Sequence, residues 1–354
     1  MNKQDILNDI TLILTNLIRF PTFYGNKSAF KDLFNYIKSI LCDYYLEDIV
    51  VTYDNLDHDN LIISNTKDKN YDIIFCCHVD VVSAKEYDVK IQNGLMYGRG
   101  SIDMKGQVAV IIELLKNIKS DKKIALILTS DEENGGFCCR EIVKKYHSKL
   151  AVIPDGGSNF DLIIEEKGVL QLEIKSVGIS AHGSEPFNGD NAIIKLINLY
   201  NDLIKQYRVP SRDEFNLSIT LSKINGGEEK NKVPDYACMN LDIRYTKDDD
   251  INKLLAYIKN YSKDINFKIL DLEPVFFVDE KLDIIKNFIN NCEKILKRKV
   301  NLKRCCAGSD APYFSSKGIP VIMMNPIGAN WHGDNEYVEI DSLYTLYEIF
   351  KTLI

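Results

Sequence analysis

The chain has 354 residues, 45% of them hydrophobic and 27% charged, with a net charge of −7. That balance is ordinary for a water-soluble globular protein, and the length suits two domains. It gives no electrostatic case for nucleic acid or an anionic membrane as partner, and no apolar run reaches transmembrane length.

The opening Met1-Asn-Lys-Gln-Asp is polar and leads into no secretory apolar region, so no export is expected. Six of the nine Cys form adjacent pairs, Cys76-Cys77, Cys138-Cys139 and Cys305-Cys306. Their spacing is neither a secreted disulfide framework nor a zinc-type CxxC. Free, mostly buried thiols in a reducing cytoplasm are expected.

In chain order, apolar residues at helical spacing predict helices over about 5–19 and 27–41. Short strands follow at 49–53, 60–64 and 71–77. The last of these is an apolar run that ends abruptly in His78-Val-Asp80. Residues two apart on an extended chain share a face, so His78 and Asp80 fall together. The next motif is Gly98-Arg-Gly-Ser-Ile-Asp103-Met-Lys-Gly106. Its three Gly predict a tight, close-approach loop before a helix at 107–118, and no P-loop spacing is present. A strand at 123–129 runs into Asp131-Glu-Glu133, where Glu132 and Glu133 on an extended strand end would point to opposite sides. A helix at 137–147 and a strand at 151–155 ending in Asp155 complete the first part.

Strands alternating with helices predict a mostly parallel α/β sheet flanked by helices. Such sheets collect ligands at the carboxyl ends of their strands. His78, Asp80, Asp103, Glu132, Glu133 and Asp155 would then share one edge.

From Gly168 the pattern changes. Alternating strands are predicted at 169–177, 215–224, 236–245 and 266–270, with helices at 192–206 and 247–261. This reads as a smaller inserted α+β domain of two helices on a four-stranded sheet. The α/β pattern resumes with a helix at 280–296, a strand at 320–324, the segment Trp331-His332 and a helix from Asp341. The expected organisation is a main domain built from 1–167 and 276–354, interrupted by a lid or dimerisation domain at 168–275. Of the five His, His58 and His147 fit no motif and are expected at the surface.

Several motifs now stand in order: His78-Val-Asp80, Gly98–Gly106 around Asp103, Asp131-Glu-Glu133, Asp155, Ala181-His182-Gly-Ser-Glu-Pro, the stretch 226–234, Arg244 and His332. In this the chain resembles, over nearly its whole length, the dinuclear zinc amidohydrolases. That family includes succinyl-diaminopimelate desuccinylase, acetylornithine deacetylase, glutamate carboxypeptidase, aminoacylase, tripeptidase and the carnosinase-type dipeptidases. The resemblance implies two divalent metal ions, zinc first, with manganese or cobalt also suited to such ligands. It implies that His78 and Asp155 hold one ion and Glu133 and His332 the other. Asp103 would bridge the two, Asp80 would orient His78, and Glu132 would be the general base. A cis peptide is implied after Asp103.

The same resemblance assigns His182 and Asn231 to the oxyanion, Arg244 to a substrate carboxylate, and Gly308 to a loop against the substrate. In dimeric relatives the equivalent of His182 reaches into the partner's site, so a homodimer through the inserted domain is implied. Asp155-Gly156 replaces the Glu-Pro of many deacylases and matches the tripeptidase and dipeptidase branch. A dipeptide or short peptide is therefore the expected substrate. An insert of about a hundred residues is nearer the desuccinylase type, which keeps an N-acyl-amino-acid deacylase as the alternative. A catalytically silent binding homologue is the third reading.

Overall fold

The computed structural model describes every residue except Met1, Ile118 and Asp213. The chain forms two compact units. The first comprises Met1–Glu165, Phe277–Cys305 and Ser309–Ile354, and the second Glu166–Phe276 with Cys306–Gly308.

The first unit is built on a six-stranded sheet. Its strand order is Tyr45–Tyr53, Leu56–Ser64, Ile124–Thr129, Asn70–His78, His147–Val152 and Val321–Ile322. The last four run parallel, and the first two form an antiparallel hairpin at one edge. The hairpin turns on Asp54 and Asn55, both at positive φ (50° and 61°), which suits a two-residue turn between twisted strands. The central strands read as unbroken apolar runs because both of their faces are covered: Ile74, Phe75, Leu126 and Ile127 are fully buried. Helix Lys105–Asn117 packs against Lys3–Arg19 and Ile340–Lys351. This is the mostly parallel α/β architecture expected from the sequence.

A second, small antiparallel sheet in this unit was not foreseen. Its order is Gly328–Ala329, Tyr337–Glu339, Leu95–Tyr97 and Lys90–Gln92. With two or three residues per strand, it leaves no periodic signal long enough to read. It ties together the bases of the Gly98 and His332 loops.

Several predicted elements differ in detail. The helix expected at 137–147 stops at Ile142. The chain then turns, buries Tyr146, and starts strand His147–Val152, with His147 N–H donating to the Lys69 carbonyl. Tertiary burial of Tyr146 overrides the helical pattern. Glu132 and Glu133 are not on an extended strand end; they form a short 3₁₀ turn, Glu132–Asn134, closed by Gly135 and Gly136 at positive φ. The helix expected from 247 begins at Ile251, because the Asp250 side chain accepts from the Asn252 and Lys253 N–H groups and caps it there. His58 is buried, not exposed, stacked on Tyr53 at 4.2 Å between ring centroids. His147 is exposed. The predicted helix end at Ile118 lies outside the described residues.

The second unit has a four-stranded antiparallel sheet in the order Ser218–Gly226, Tyr236–Tyr245, Gly168–Val177 and Ile265–Glu273. Alternate residues of the two central strands, among them Leu170, Leu172, Ile174, Met239, Leu241 and Ile243, are buried with Leu196, Leu199, Leu254 and Ile258 of the helices. The other face of the sheet carries polar residues such as Glu173, Lys175, Asp242 and Arg244.

Candidate metal centre

Each site residue of the first unit sits where a strand or turn ends. His78 is the last residue of its strand, opposite Thr129 on the neighbour. The chain after Thr129 reaches the Glu132–Asn134 turn within three residues. Asp155 follows strand His147–Val152. Asp103 ends the Gly-rich loop before helix Lys105–Asn117, and its peptide bond to Met104 is cis, as the resemblance implies. His332 lies between the two short strands Gly328–Ala329 and Tyr337–Glu339.

These residues form two triads. One is His78, Glu132 and Asp155; the other is Asp103, Glu133 and His332. Within each, one donor atom from every residue lies within 4.8 Å of the others. Asp103 faces both. Its Oδ1 is 3.1 Å from His78 Nε2, and its Oδ2 is 3.3 Å from His332 Nε2. His78 Nε2 is also 3.7 Å from Asp155 Oδ2, and His332 Nε2 is 3.1 Å from Glu133 Oε2. Imidazole nitrogens and carboxylate oxygens converging from separate segments are a donor set that fits zinc or a similar divalent ion. With Asp103 shared, each position has one His and two carboxylates without calling on Glu132.

Asp80 is placed differently from the simple expectation. The His78 Nδ1 partner at 3.0 Å is the Asp80 backbone carbonyl, and the Asp80 carboxylate is farther, at 3.6 Å. A ring N–H held by that carbonyl leaves Nε2 free to face Asp103 and Asp155. The fully buried Asp80 carboxylate instead accepts from the backbone N–H groups of Glu132 (3.2 Å) and Glu133 (3.0 Å). It therefore anchors the acidic turn at its start, a role that residue spacing alone does not reveal.

The electrostatics follow from four carboxylates and two imidazoles packed together. Burial pulls the His78 imidazole down, but Asp103, Asp155 and Asp80 outweigh it and hold the group well above its ordinary value. The Asp103 hydrogen bond raises His332. Burial opposes ionisation of Asp103, yet the two imidazoles keep its carboxyl well below the usual range. Burial pushes Glu133 up to about 7, and burial with the nearby Asp155 charge raises Glu132 well above normal.

A pH prediction follows. In the metal-free protein the pairing of His332⁺ with the Asp103 carboxylate, the main cause of its raised pKa, is fully present below the unfolded imidazole value of about 6.5 and is lost as pH rises through the higher folded value. A metal ion needs the neutral ring, so protons compete with it over that window. Apparent metal affinity should climb as pH rises above about 6.5, by up to about tenfold per unit for each proton displaced. Calorimetric metal titrations at several pH values check this; affinity flat across that range would contradict it.

Other buried polar groups support the triads. The Glu336 carboxylate accepts from the backbone N–H groups of Gly100, Ile102 and Asp103 and from Arg99, while Arg99 also donates to the His332 carbonyl. Gln107 Nε2 donates to the carbonyls of Ile102 (2.8 Å) and Pro154 (3.1 Å), joining the Asp103 and Asp155 loops. Lys105, fully buried and lowered to about 7 by desolvation, donates to the Phe20 carbonyl. None of these stood out in the sequence. For Arg99 and Lys105 the available signal was membership of the Gly-rich motif, which Gln107 directly follows. A third group, Cys76, Cys139 and Asp310, is wholly buried with its sulfurs 3.8 Å apart. Burial raises the Cys139 thiol well above its ordinary value, which fits core thiols.

The remaining predicted residues lie in the second unit. His182 and Asn231 are neighbours: the Gly183 N–H donates to the Asn231 carbonyl at 2.6 Å, and His182 bridges to Lys232. His182 Nδ1 is 2.7 Å from Ser184 Oγ. Arg244 is engaged with Asp242 on the polar face of the sheet, through Nε at 2.7 Å and a terminal nitrogen at 3.1 Å. Gly308 is exposed, in the short Cys306–Gly308 stretch.

Comparison with known proteins bears on what this arrangement is. The chain is 30% identical over 298 residues to the [LysW]-lysine/[LysW]-ornithine hydrolase of Sulfurisphaera tokodaii, covering 80% of this chain and 82% of the relative. It is 23% identical to the succinyl-diaminopimelate desuccinylase of a Sulfurovum species, covering 88% and 90%. Among solved structures, the aminopeptidase PepT of Bacillus cereus superposes with a TM-score of 0.77 at 18% identity, over 98% of each chain. A dinuclear metal-binding peptidase of Bacillus subtilis superposes with a TM-score of 0.69 at 14% identity, over 99% of this chain and 98% of the other. The family model described as peptidase family M20/M25/M40 matches residues 74–354, a span that holds both triads. The chain belongs to that family and is a hydrolase.

Proposed function

We propose that the chain hydrolyses the amide bond of a dipeptide or short peptide with a free amino terminus, using two divalent metal ions held at the two triads. One observation carries this reading: Asp103 turns one oxygen to His78 and the other to His332. His78, Asp155 and Asp103 would hold one ion, and His332, Glu133 and Asp103 the other. Bound metals would supply Lewis-acid polarisation of the carbonyl and a more acidic attacking water.

The protein's own groups do the rest. Glu132 is the carboxylate left over once each ion has its three ligands. It takes the proton of the attacking water and returns it to the leaving amine. Burial and the Asp155 charge raise its pKa in the metal-free protein, in the direction that favours holding a proton. Asp80 holds the N–H groups of Glu132 and Glu133 and so keeps base and ligand at fixed stations. His182 and Asn231 would donate to the developing oxyanion. Arg244 would exchange Asp242 for a substrate carboxylate, a task suited to its planar fork. The proposal includes a cytoplasmic homodimer formed through residues 168–275.

The peptide reading rests on Asp155, the shorter acid of the tripeptidase and dipeptidase branch. The deacylase reading keeps support from the desuccinylase relative and the modest size of the second unit. A panel of dipeptides, tripeptides, N-acetyl and N-succinyl amino acids, assayed with added zinc, manganese or cobalt, separates them. Turnover of unblocked peptides at least about tenfold above that of N-acyl amino acids is expected, a difference of ~1.4 kcal/mol in transition-state binding. The reverse preference would establish the deacylase, and no turnover of any member would favour the silent binding homologue.

A further inference from the structure

We infer that Glu336 and Arg99 are positioning residues that set the metal affinity of the triad of Asp103, Glu133 and His332. The inference rests on the two-metal reading above but concerns residues outside both triads.

Glu336 is almost fully buried, and both of its oxygens are used twice. One accepts from Arg99 at 2.8 Å and from the Gly100 N–H at 2.9 Å. The other accepts from the N–H groups of Ile102 at 3.0 Å and Asp103 at 3.2 Å. A carboxylate at this depth is tolerated because it is paired and fully hydrogen-bonded. Its donors belong to the loop that ends in Asp103, so the backbone of that ligand is fixed from the far end of the chain. The pairing of Tyr97 with Tyr337, and the bond from the Gly98 N–H to the Glu336 carbonyl at 3.1 Å, hold the two segments in this register.

Arg99 extends the same ion pair to the other ligand. Its second terminal nitrogen donates to the His332 carbonyl at 3.0 Å. His332 and Asn330 are both at positive φ (60° and 65°), a conformation uncommon for non-glycine residues and most accessible to types such as Asn and His. Unlike His78, which ends a strand and pairs with Thr129 on its neighbour, His332 lies on an exposed loop, and its side chain is 54% exposed. One ion pair thus holds Asp103 by its N–H and His332 by its carbonyl, the two ligands that approach each other at 3.3 Å. Groups that orient ligands without touching the metal typically change affinity 10–100-fold when removed. A buried ion pair with a purely structural role would instead affect folding alone.

The test is calorimetric titration of metal-stripped protein with zinc or manganese alone, in wild type, Glu336→Gln, Arg99→Lys and the double variant. Wild type should bind two ions. Arg99→Lys should bind the ion of the His332 triad about 10–100-fold more weakly, and Glu336→Gln, which also frees the N–H of the shared ligand Asp103, should weaken at least that ion by as much. The double variant should lose no more than the worse single, because both act through one ion pair. Excess metal should restore kcat in Arg99→Lys, and the metal-free variant should keep the circular-dichroism spectrum of the metal-free wild type, since metal that binds only the folded state would also rescue a lesion of the fold. Arg99→Lys leaves Glu336 its three backbone donors, so it carries the test if Glu336→Gln does not fold. Wild-type affinities in the variants, with only a lowered Tm of the metal-free protein, would overturn the inference. Binding of fewer than two ions by the wild type would sink the two-metal reading itself.

Discussion

Glu132→Gln should retain two metal ions per chain and lose hydrolysis by about 10²–10⁴-fold, the range for removing a positioned general base. The prediction is sharp because the geometry offers a rival. Glu132 lies within ligand distance of His78 and Asp155, so its position alone would allow it to hold an ion. The proposal assigns it otherwise because Asp103 Oδ1, 3.1 Å from His78 Nε2, would complete the His78 position. The amide side chain keeps the size of the carboxylate but loses its charge and its ability to take a proton. Metal content by mass spectrometry and kcat on the best substrate decide the matter. Glu133→Ala is the contrast, since it should weaken one ion. Equal metal loss in both variants would make Glu132 a ligand and leave the base to be found elsewhere.

Asp103→Asn should have the larger effect on metal. Among the described residues its carboxylate is the one group that approaches both imidazoles, and it carries a charge that both ions would share. An amide offers one neutral oxygen in place of two anionic ones. Affinity for both ions should fall by more than about 100-fold, the upper bound for disturbing a group that merely orients a ligand. Loss of a single ion, with the other bound as in wild type, would show that Asp103 serves one position only.

How much of this could be read in the residues differs from part to part. The parallel sheet was legible because runs such as Ile73–Cys77 and Ile124–Leu128 are apolar without interruption, which only strands covered on both faces require. The family was legible from the ordered motifs, and the match over residues 74–354 bears it out. Gathering of His78 and the carboxylates at one sheet edge followed from strand ends, while His332 was placed only by the family resemblance. The hidden parts have one cause: they depend on contacts that local periodicity does not encode. Tyr146 ends a helix early because it is buried against the sheet. Glu132 and Glu133 curl into a turn because two glycines at positive φ follow and Asp80 accepts their N–H groups. Glu336 looks like any acid in a polar loop, and its four donors lie more than two hundred residues away in the chain.

The central claim is that two ions at two triads, joined by Asp103, make this chain an amide hydrolase. It is tested most directly by adding zinc or manganese stepwise to metal-stripped protein while hydrolysis of a peptide substrate is recorded. The prediction is no measurable turnover without metal and a rise that reaches its plateau at two equivalents per chain. Turnover that persists in the presence of a chelator, or a plateau at one equivalent, would contradict it.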